Sequence, residues 1–239
     1  MNTIPPASLT EAETFILESL TLDDERNKRL DGQILFDMLK LQGKKPVYYY
    51  FRTQRELIEL SKEFRASGYR YLHLSCHGND DALAFTFGSI TFEEFADIFD
   101  KKLHNRRLFI SGCSLGNRKF ADLLFAKNGG MYSVIAPTKR IFFDQASVFW
   151  SAFYFLMHQH SSKEMKKAQL EKALSKLSDL FGVSVAYYFR NTAKQAIVDE
   201  VIFKGGDAMF PETKSEVDTA PVAVVKRFAS NLLSFGSKR

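Results

Sequence analysis

YLHLSC, residues 71–76, and RLFISGC, residues 107–113, are the two apolar runs on which the architecture of this chain depends. Short runs of Leu, Ile, Phe and Tyr bounded by polar residues are typical of buried strands in a parallel sheet. His77 directly follows the first run, and Cys113 ends the second. Chemistry in open α/β sheets gathers outside the carboxyl ends of the strands, so we expect His77 and Cys113 to form a candidate catalytic pair at one edge.

Helices and strands are expected on both sides of these runs. Ser8 and Glu11 have the spacing of a capping box ahead of apolar residues at helical intervals, which predicts a first helix over residues 8–20. Asp144 precedes a long apolar helix and is expected to be its N-cap. Capping pairs, glycine stops and apolar runs predict the other elements: helix 33–42, core strand 46–51, helix 53–68, a hairpin or single strand over 83–92, helices 92–102 and 117–128, strand 132–137, helix 163–181, and strands 183–189 and 196–203.

The composition is that of one globular domain with short appendages. With 239 residues, 45% of them hydrophobic and 14% aromatic, the chain can bury one sizeable core. Strands that alternate with helices predict an α/β fold with a mostly parallel sheet. We therefore expect an N-terminal helical segment at 1–44 packed on the core, a catalytic domain at 45–204, and a linker with a C-terminal tail or docking helix at 205–239.

Charge and hydropathy argue against several classes of protein. The formal charge of +5 and the pI near 9.1 come without a clustered basic stripe, so we expect no nucleic-acid partner. The N-terminus lacks a signal-peptide pattern, and the most apolar window, ASVFWSAFYFLM, is far shorter than the roughly 20 residues of a membrane span. Cys76 and Cys113 fit a reducing compartment and stand in no metal-binding spacing. These features predict a cytoplasmic protein without a structural metal.

A histidine near a cysteine has a defined chemistry. A Cys thiolate is a nucleophile, and a neighbouring His can take its proton. The amides of Gly78 and Cys113 can point at a developing oxyanion, because glycine permits close approach of a substrate. In the alternative, Cys113 is a small buried hydrophobe and His77 is a turn residue. Cys76 is expected on the opposite face of its strand and His73 inside the strand, both as core residues.

Three segments resemble a known family. YLHLSCHG, residues 71–78, ends a strand in His-Gly, and LFISGCSLGN, residues 108–117, contains a later strand that ends in a small residue and Cys. Residues 132–157, YSVIAPTKRIFFDQASVFWSAFYFLM, add a strand, a loop with an Asp and an aromatic helix. Over roughly residues 45–160 this order resembles the caspase-like cysteine peptidases. That group includes caspases, metacaspases, gingipains, separase and the bacterial CHAT domains, whose pattern is the nearest.

The resemblance implies a caspase-like three-layer α/β/α sandwich with a mostly parallel central sheet. It implies His77 as general base, Cys113 as nucleophile, and the amides of Gly78 and Cys113 as the oxyanion hole, with no metal and no organic cofactor. The implied activity is that of a CHAT-type thiol protease, which cleaves a protein partner through a Cys113 acyl-enzyme in a regulated prokaryotic response such as anti-phage defence. The alternative is a catalytically silent caspase-fold scaffold that binds a protein partner.

The sequence departs from the family pattern at the substrate pocket. In metacaspases an acidic residue two positions before the Cys holds a basic substrate side chain, and here this position in the expected substrate pocket is Ser111. Asp80, Asp81 and Asp144 are the alternative candidates for the pocket, unless the first two lie in a solvated loop and Asp144 caps its helix. A regulatory extension of the kind often fused to CHAT domains is not recognisable, so the resemblance predicts control by a separate activating or regulatory protein.

Overall fold

In the residues that the structure describes, 10–161, 163–190 and 198–206, a nine-stranded sheet runs through the centre of the computed structural model. The strands, in chain order, are β1 Glu11–Ser19, β2 Val47–Tyr50, β3 Tyr69–Gly78, β4 Ala82–Phe85, β5 Gly88–Thr91, β6 Arg107–Ser111, β7 Ser133–Pro137, β8 Val185–Arg190 and β9 Val198–Phe203. The helices are α1 Leu22–Arg26, α2 Asp31–Leu41, α3 Gln54–Ser67, α4 Phe92–Ile98, α5 Arg118–Lys127, α6 Phe143–His160 and α7 Lys167–Phe181.

Neighbouring strands in the main part of the described sheet are parallel. The order is β2-β1-β3-β6-β7-β8-β9, with parallel pairing from β2 to β7 and antiparallel pairing for β8 and β9. β4 and β5 form a hairpin attached to the carboxyl end of β3. The prediction of an α/β fold with a mostly parallel sheet is confirmed, and the segment that allowed a hairpin or a single strand forms the hairpin.

Helices cover both faces of the sheet and give it three layers. One face packs against α3, α4 and α5 through a cluster rich in phenylalanine, in which Phe64 and Phe120 are fully buried. The other face packs against α2, α6 and α7, where Trp150 and Leu174 are buried. Successive residues of a strand point to opposite faces, so a central strand must be apolar on both sides. This is why the central strands appear in the sequence as continuous apolar runs.

Capping residues mark the ends of α3 and the start of α4. Thr53 and Glu56 form a capping box at α3, as predicted, and Thr91 and Glu94 form another at α4. Gly68 ends α3 in the left-handed region, at φ 72°. Each such cap stabilises its helix by about 1 kcal/mol. The α3 cap therefore helps to fix where the chain enters β3.

The first predicted helix is wrong, because β1 occupies that segment and lies between β2 and β3. Phe15 and Leu17 belong to one apolar layer and Ile16 to the other. The run is thus apolar on both sides, as a buried strand requires. The segment 1–44, which we expected to be helical, contains β1 as well as α1 and α2 in its described part, and α2 corresponds to the helix predicted at 33–42.

Two other local predictions need correction. The strand expected in the core at 46–51 is β2, which lies at the edge because β1 separates it from β3. Asp144 is not the N-cap of α6, because Phe142 takes that position and donates its N–H to the side chain of Gln145 at 3.2 Å. Asp144 lies in the first turn instead, where a carboxylate interacts favourably with the helix dipole.

The last two predicted strands are present as β8 and β9, which extend the sheet in antiparallel pairing. Of the linker and tail predicted at 205–239, the part from residue 207 onward lies outside the described residues. Within the described ranges, every helix is too short or too polar to cross a membrane.

Candidate active site

β3 and β6 are neighbouring parallel strands, and the two candidate residues lie at their carboxyl ends. The pairing ends with Ser75 opposite Ser111. His77 and Cys113 each stand two residues beyond this last pair, His77 still within β3 and Cys113 in the turn after β6. Neighbouring strands are about 4.8 Å apart, and paired positions point to the same face. Cys113 packs against the α2, α6 and α7 layer, so both side chains emerge toward that layer.

The turn after β6 packs closely on the end of β3. A Cβ at Gly78 would lie 2.6 Å from the side chain of Leu115. A Cβ at Gly112 would lie 2.8 Å from the carbonyl oxygen of Cys76. Both distances are shorter than a side chain tolerates, so glycine at these two positions permits the close approach of the two strand ends.

A carboxylate that the sequence did not indicate holds the imidazole of His77. Nε2 of His77 lies 2.7 Å from Oδ2 of Asp24, which is on α1. The ring also packs edge-on against Phe143, with centroids 5.7 Å apart. The side chain of His77 is 33% exposed, and that of Asp24 only 3%. An imidazole fixed at Nε2 by a carboxylate has its Nδ1 left for proton transfer.

Asp24 is itself firmly held. The hydroxyl of Thr21 donates to its carboxylate, and the N–H of Asp24 donates to that hydroxyl at 3.2 Å, which caps α1. Arg29 lies 3.3 Å from the other carboxylate oxygen. Burial alone raises the pKa of Asp24, but hydrogen bonds from His77 and Thr21 outweigh burial and lower the pKa to about 2. Asp24 is therefore a fixed negative charge beside the imidazole near neutral pH.

Cys113 is partly exposed and borders the loop between β7 and α6. Its thiol lies 3.6 Å from the carbonyl oxygen of Ile141. The next residue, Ser114, has a left-handed φ of 59° and donates its N–H to the carbonyl of Lys139 at 3.2 Å. Among the described residues, the backbone N–H of Cys113 has no backbone partner. The thiol and the backbone N–H of Cys113 thus both lie at the turn that follows β6.

Cys76 and His73 lie in the core, as predicted. Cys76 is 4% exposed within the phenylalanine-rich cluster on the opposite face, and burial raises the pKa of its thiol. His73 packs edge-on against Trp150, and its Nδ1 lies 3.5 Å from the hydroxyl of Tyr154. Burial lowers the pKa of His73 to about 3, so its imidazole is neutral at physiological pH.

Ser111 faces the interior beneath the pair. It is 5% exposed, and its hydroxyl donates to Asp31 at 2.5 Å. Ser75 donates to the other oxygen of the same carboxylate at 2.6 Å. The carboxyl group of Glu18 on β1 lies nearby, and burial and then the charge of Asp31 raise its pKa. The sequence reasoning missed both buried acids, which lie among helix and strand residues with no motif of their own.

The three carboxylates proposed for the substrate pocket lie on the surface. Asp80 is exposed, and Asp81 forms an exposed ion pair with Lys119 at 3.3 Å. Asp144 is exposed in the first turn of α6, directly after the Phe143 that contacts His77. Asp144 is thus next to the site in sequence, and the role of all three in substrate binding stays a prediction.

A shallow apolar groove lies between α2 and α6, and neither His77 nor Cys113 lines it. Its walls are formed by small and apolar side chains: Ile34, Met38, Ser147, Val148, Ser151, Ala152 and Phe155. Convergent polar groups mark a site of chemistry more directly than apolar walls do. The groove therefore does not displace the strand ends as the candidate active site.

No protein-family model matches the sequence, and no curated protein matches it. Among solved structures, a secreted C11 cysteine protease from Bacteroides thetaiotaomicron, "iotapain", is similar at 10% identity and a TM-score of 0.48, over 75% of this chain and 66% of that chain. The Arg-specific cysteine proteinase gingipain R is similar at 14% identity and a TM-score of 0.47, over 70% of this chain and 42% of that chain. The complex of RgpB pro- and mature domains from Porphyromonas gingivalis is similar at 15% identity and a TM-score of 0.46, over 70% of this chain and 43% of that chain.

These similar structures are cysteine proteases by their descriptions. The chain spans about two fifths to two thirds of their length, since the matches cover 42% and 66% of the first two. Their identities and TM-scores leave the chemistry of this chain to be argued from its own residues.

Proposed function

We propose that the chain is a cysteine endopeptidase in which Cys113 attacks the peptide bond and His77 is the base. The observation that supports this most is that His77 and Cys113 each stand two residues beyond Ser75 and Ser111, the last paired positions at the carboxyl ends of neighbouring parallel strands. Cys113 is partly exposed, so a substrate carbonyl has access to its sulfur. An imidazole beside a thiol takes its proton and makes the thiolate nucleophile.

The reaction uses groups of the chain and one water. Asp24 holds Nε2 of His77, which leaves Nδ1 to accept the thiol proton. The sulfur of Cys113 attacks the carbonyl carbon, and the amides of Gly78 and Cys113 stabilise the oxyanion. Protonated His77 then gives its proton to the leaving amine as the C–N bond breaks. Water hydrolyses the thioester and restores the thiol, without a metal or an organic cofactor.

The substrate in this proposal is a protein, and an activating or regulatory protein controls the enzyme. The resemblance of the strand-end motifs to bacterial CHAT domains supports this setting, which includes the cytoplasm of a prokaryote and a response such as anti-phage defence. Asp80, Asp81 and Asp144 are the acidic candidates for contact with the substrate, because all three are exposed.

A proteome-derived peptide library tests the proposal. We expect the wild type to cut peptides at a recurring residue, as read by mass spectrometry of the new termini. Cys113→Ala should cut none, and Cys76→Ala, which changes the buried thiol on the opposite face, should cut as the wild type does. Retention of a protein partner by wild type and Cys113→Ala alike, with no new termini, would contradict the endopeptidase and favour the silent scaffold.

A further inference from the structure

The buried carboxylate of Asp31 is bonded to both strands that carry the candidate catalytic pair. Its Oδ1 accepts from the Ser75 hydroxyl at 2.6 Å, and its Oδ2 accepts from the Ser111 hydroxyl at 2.5 Å. These serines are paired in the ladder, and each stands two residues before His77 or Cys113. One carboxylate therefore bridges β3 and β6 directly beneath the pair.

We propose that Asp31 is a positioning residue, which fixes the separation of His77 and Cys113 by clamping β3 to β6 through the hydroxyls of Ser75 and Ser111. The inference rests on the proposed function and adds a residue to it. Alternate residues of a strand point to the same face, so Ser75 lies beneath His77 and Ser111 lies beneath Cys113. A displacement of Ser75 or Ser111 would also move His77 or Cys113, because only one residue separates each serine from its member of the pair.

The surroundings of Asp31 hold the clamp in place. Asp31 is the first residue of α2 and is 4% exposed. The neighbouring carboxyl group of Glu18 accepts from the N–H of Gly32 at 2.8 Å and from the hydroxyl of Tyr48 at 2.7 Å. The network joins β2, β1, α2, β3 and β6, which meet beneath the pair.

Packing alone does not account for a carboxylate at this place. The same face carries apolar side chains such as Phe109 and Leu35 beside a few buried polar groups. A buried carboxylate is tolerated only when hydrogen bonds offset its loss of water. An apolar side chain would fill the space without that cost, but it would form no directional bonds to the two strands. The distinctive contribution of Asp31 is therefore geometric.

Iodoacetamide labelling of the two cysteines, followed by peptide mass spectrometry, tests the clamp. We expect Asp31→Asn to slow the labelling of Cys113 about a hundredfold and Ser111→Ala about tenfold, because a misplacement of about 1 Å costs up to about 10²-fold. Ser111→Thr keeps the hydroxyl and should restore most of the rate. The rate at buried Cys76 should not change. A rise of the Cys76 rate without a fall at Cys113 would make Asp31 a general stabiliser and overturn the inference.

Ser61→Ala is the matched control. It also removes a buried serine hydroxyl, one that donates to the carbonyl of Ile58 within α3, in the opposite helical layer. It should leave the labelling of Cys113 unchanged. If Asp31→Asn does not fold, the serine variants decide, because each leaves the carboxylate in place and removes one bond.

The outcomes separate the clamp from the proposed function. Wild-type rates at Cys113 in both Ser75→Ala and Ser111→Ala, together with a slow rate in His77→Ala, would overturn the clamp and leave the catalytic pair standing. A rate at Cys113 that does not depend on His77 would overturn both. A slow rate in His77→Ala and in both serine variants, with the Ser61 control unchanged, is the result that the clamp predicts.

Discussion

The two cysteines of the chain lie on neighbouring strand ends and have opposite surroundings. Cys76 is buried in the phenylalanine-rich face, where burial raises the pKa of its thiol. Cys113 is partly exposed and packs toward the other face, two residues beyond the last pair of the β3–β6 ladder. The alternation of side chains along a strand is enough to separate them. The residue type is the same, so the surroundings of each thiol follow from the face that the residue takes.

The surroundings of the two thiols also differ in buried charge. The face of the sheet toward which Cys113 packs buries three carboxyl groups, those of Glu18, Asp24 and Asp31, whereas Cys76 lies in the apolar cluster of the other face, where burial and then the charge of Asp31 raise the pKa of its thiol. Buried carboxyl groups are costly, and folds commonly accept such a cost at functional sites. The predictions that follow change one side of this contrast at a time.

Removal of each thiol should give the largest difference. We expect Cys113→Ala to lower kcat/KM for a cleaved peptide by about 10³-fold or more, because no other group can form the acyl-enzyme. Cys76→Ala should stay within about a factor of two of the wild type. Steady-state kinetics on one peptide measure both. Similar losses in the two variants would place the nucleophile outside Cys113.

Asp24→Asn tests whether Asp24 orients the imidazole of His77 beside Cys113. The amide keeps the size of the carboxylate but lacks the charge that holds the imidazole at Nε2. We expect kcat to fall by about 10- to 100-fold with little change in KM, because the orientation matters only in the chemical step. Asp23→Asn, on the same helix but exposed, is the control. A rise in KM alone would assign Asp24 to substrate binding.

The depressed pKa of Asp24 predicts a loss of stability in acid. The pKa is about 2 in the folded chain against 3.8 for an ordinary Asp, so its stabilising contribution is present above about pH 4 and is lost as pH falls toward 2. The shift corresponds to about 2 kcal/mol. Urea unfolding from pH 5 to pH 2 should show this decline in the wild type and not in Asp24→Asn. Parallel curves for the two proteins would contradict the assignment.

Glu18→Gln should give the smallest change in the free energy of unfolding. The pKa of Glu18 is raised, whereas that of Asp24 is lowered, so the pH dependence has the opposite sign. Burial and then the neighbouring Asp31 raise the pKa of Glu18 from 4.5 to about 7. The folded chain therefore retains a proton that the unfolded chain releases, and stability falls as pH rises from about 4.5 to 7. Gln removes this fall but accepts fewer hydrogen bonds than the two carboxyl oxygens, so we expect a net gain on the order of 1 kcal/mol at pH 8. A gain that is the same at pH 5 would contradict the titration of Glu18.

The sequence predicted the parts of the site that depend on strand order and alternation. Two apolar runs were enough to identify β3 and β6, and period-two alternation separated Cys76 from Cys113. The same reasoning missed β1, because the capping-box spacing at its start suggested a helix. The continuous run of Phe15, Ile16 and Leu17 was the available signal for a strand buried on both faces.

The buried acids were beyond the reach of local patterns. Asp24 stands among several charged residues, and the Thr21-x-x-Asp24 capping spacing was the one local sign of its place. Asp31 and Glu18 meet only because α2 returns to β1 and the ends of β3 and β6. Contacts of this kind depend on tertiary packing, which spacing along a chain does not encode.

Competitive labelling of the two thiols by a peptidyl acyloxymethyl ketone tests the central claim most directly. The account predicts that Cys113 reacts at least about a hundredfold faster than Cys76, and that His77→Ala removes most of this difference. Equal, slow labelling of the two cysteines, or a fast reaction at Cys113 that persists in His77→Ala, would contradict the catalytic pair.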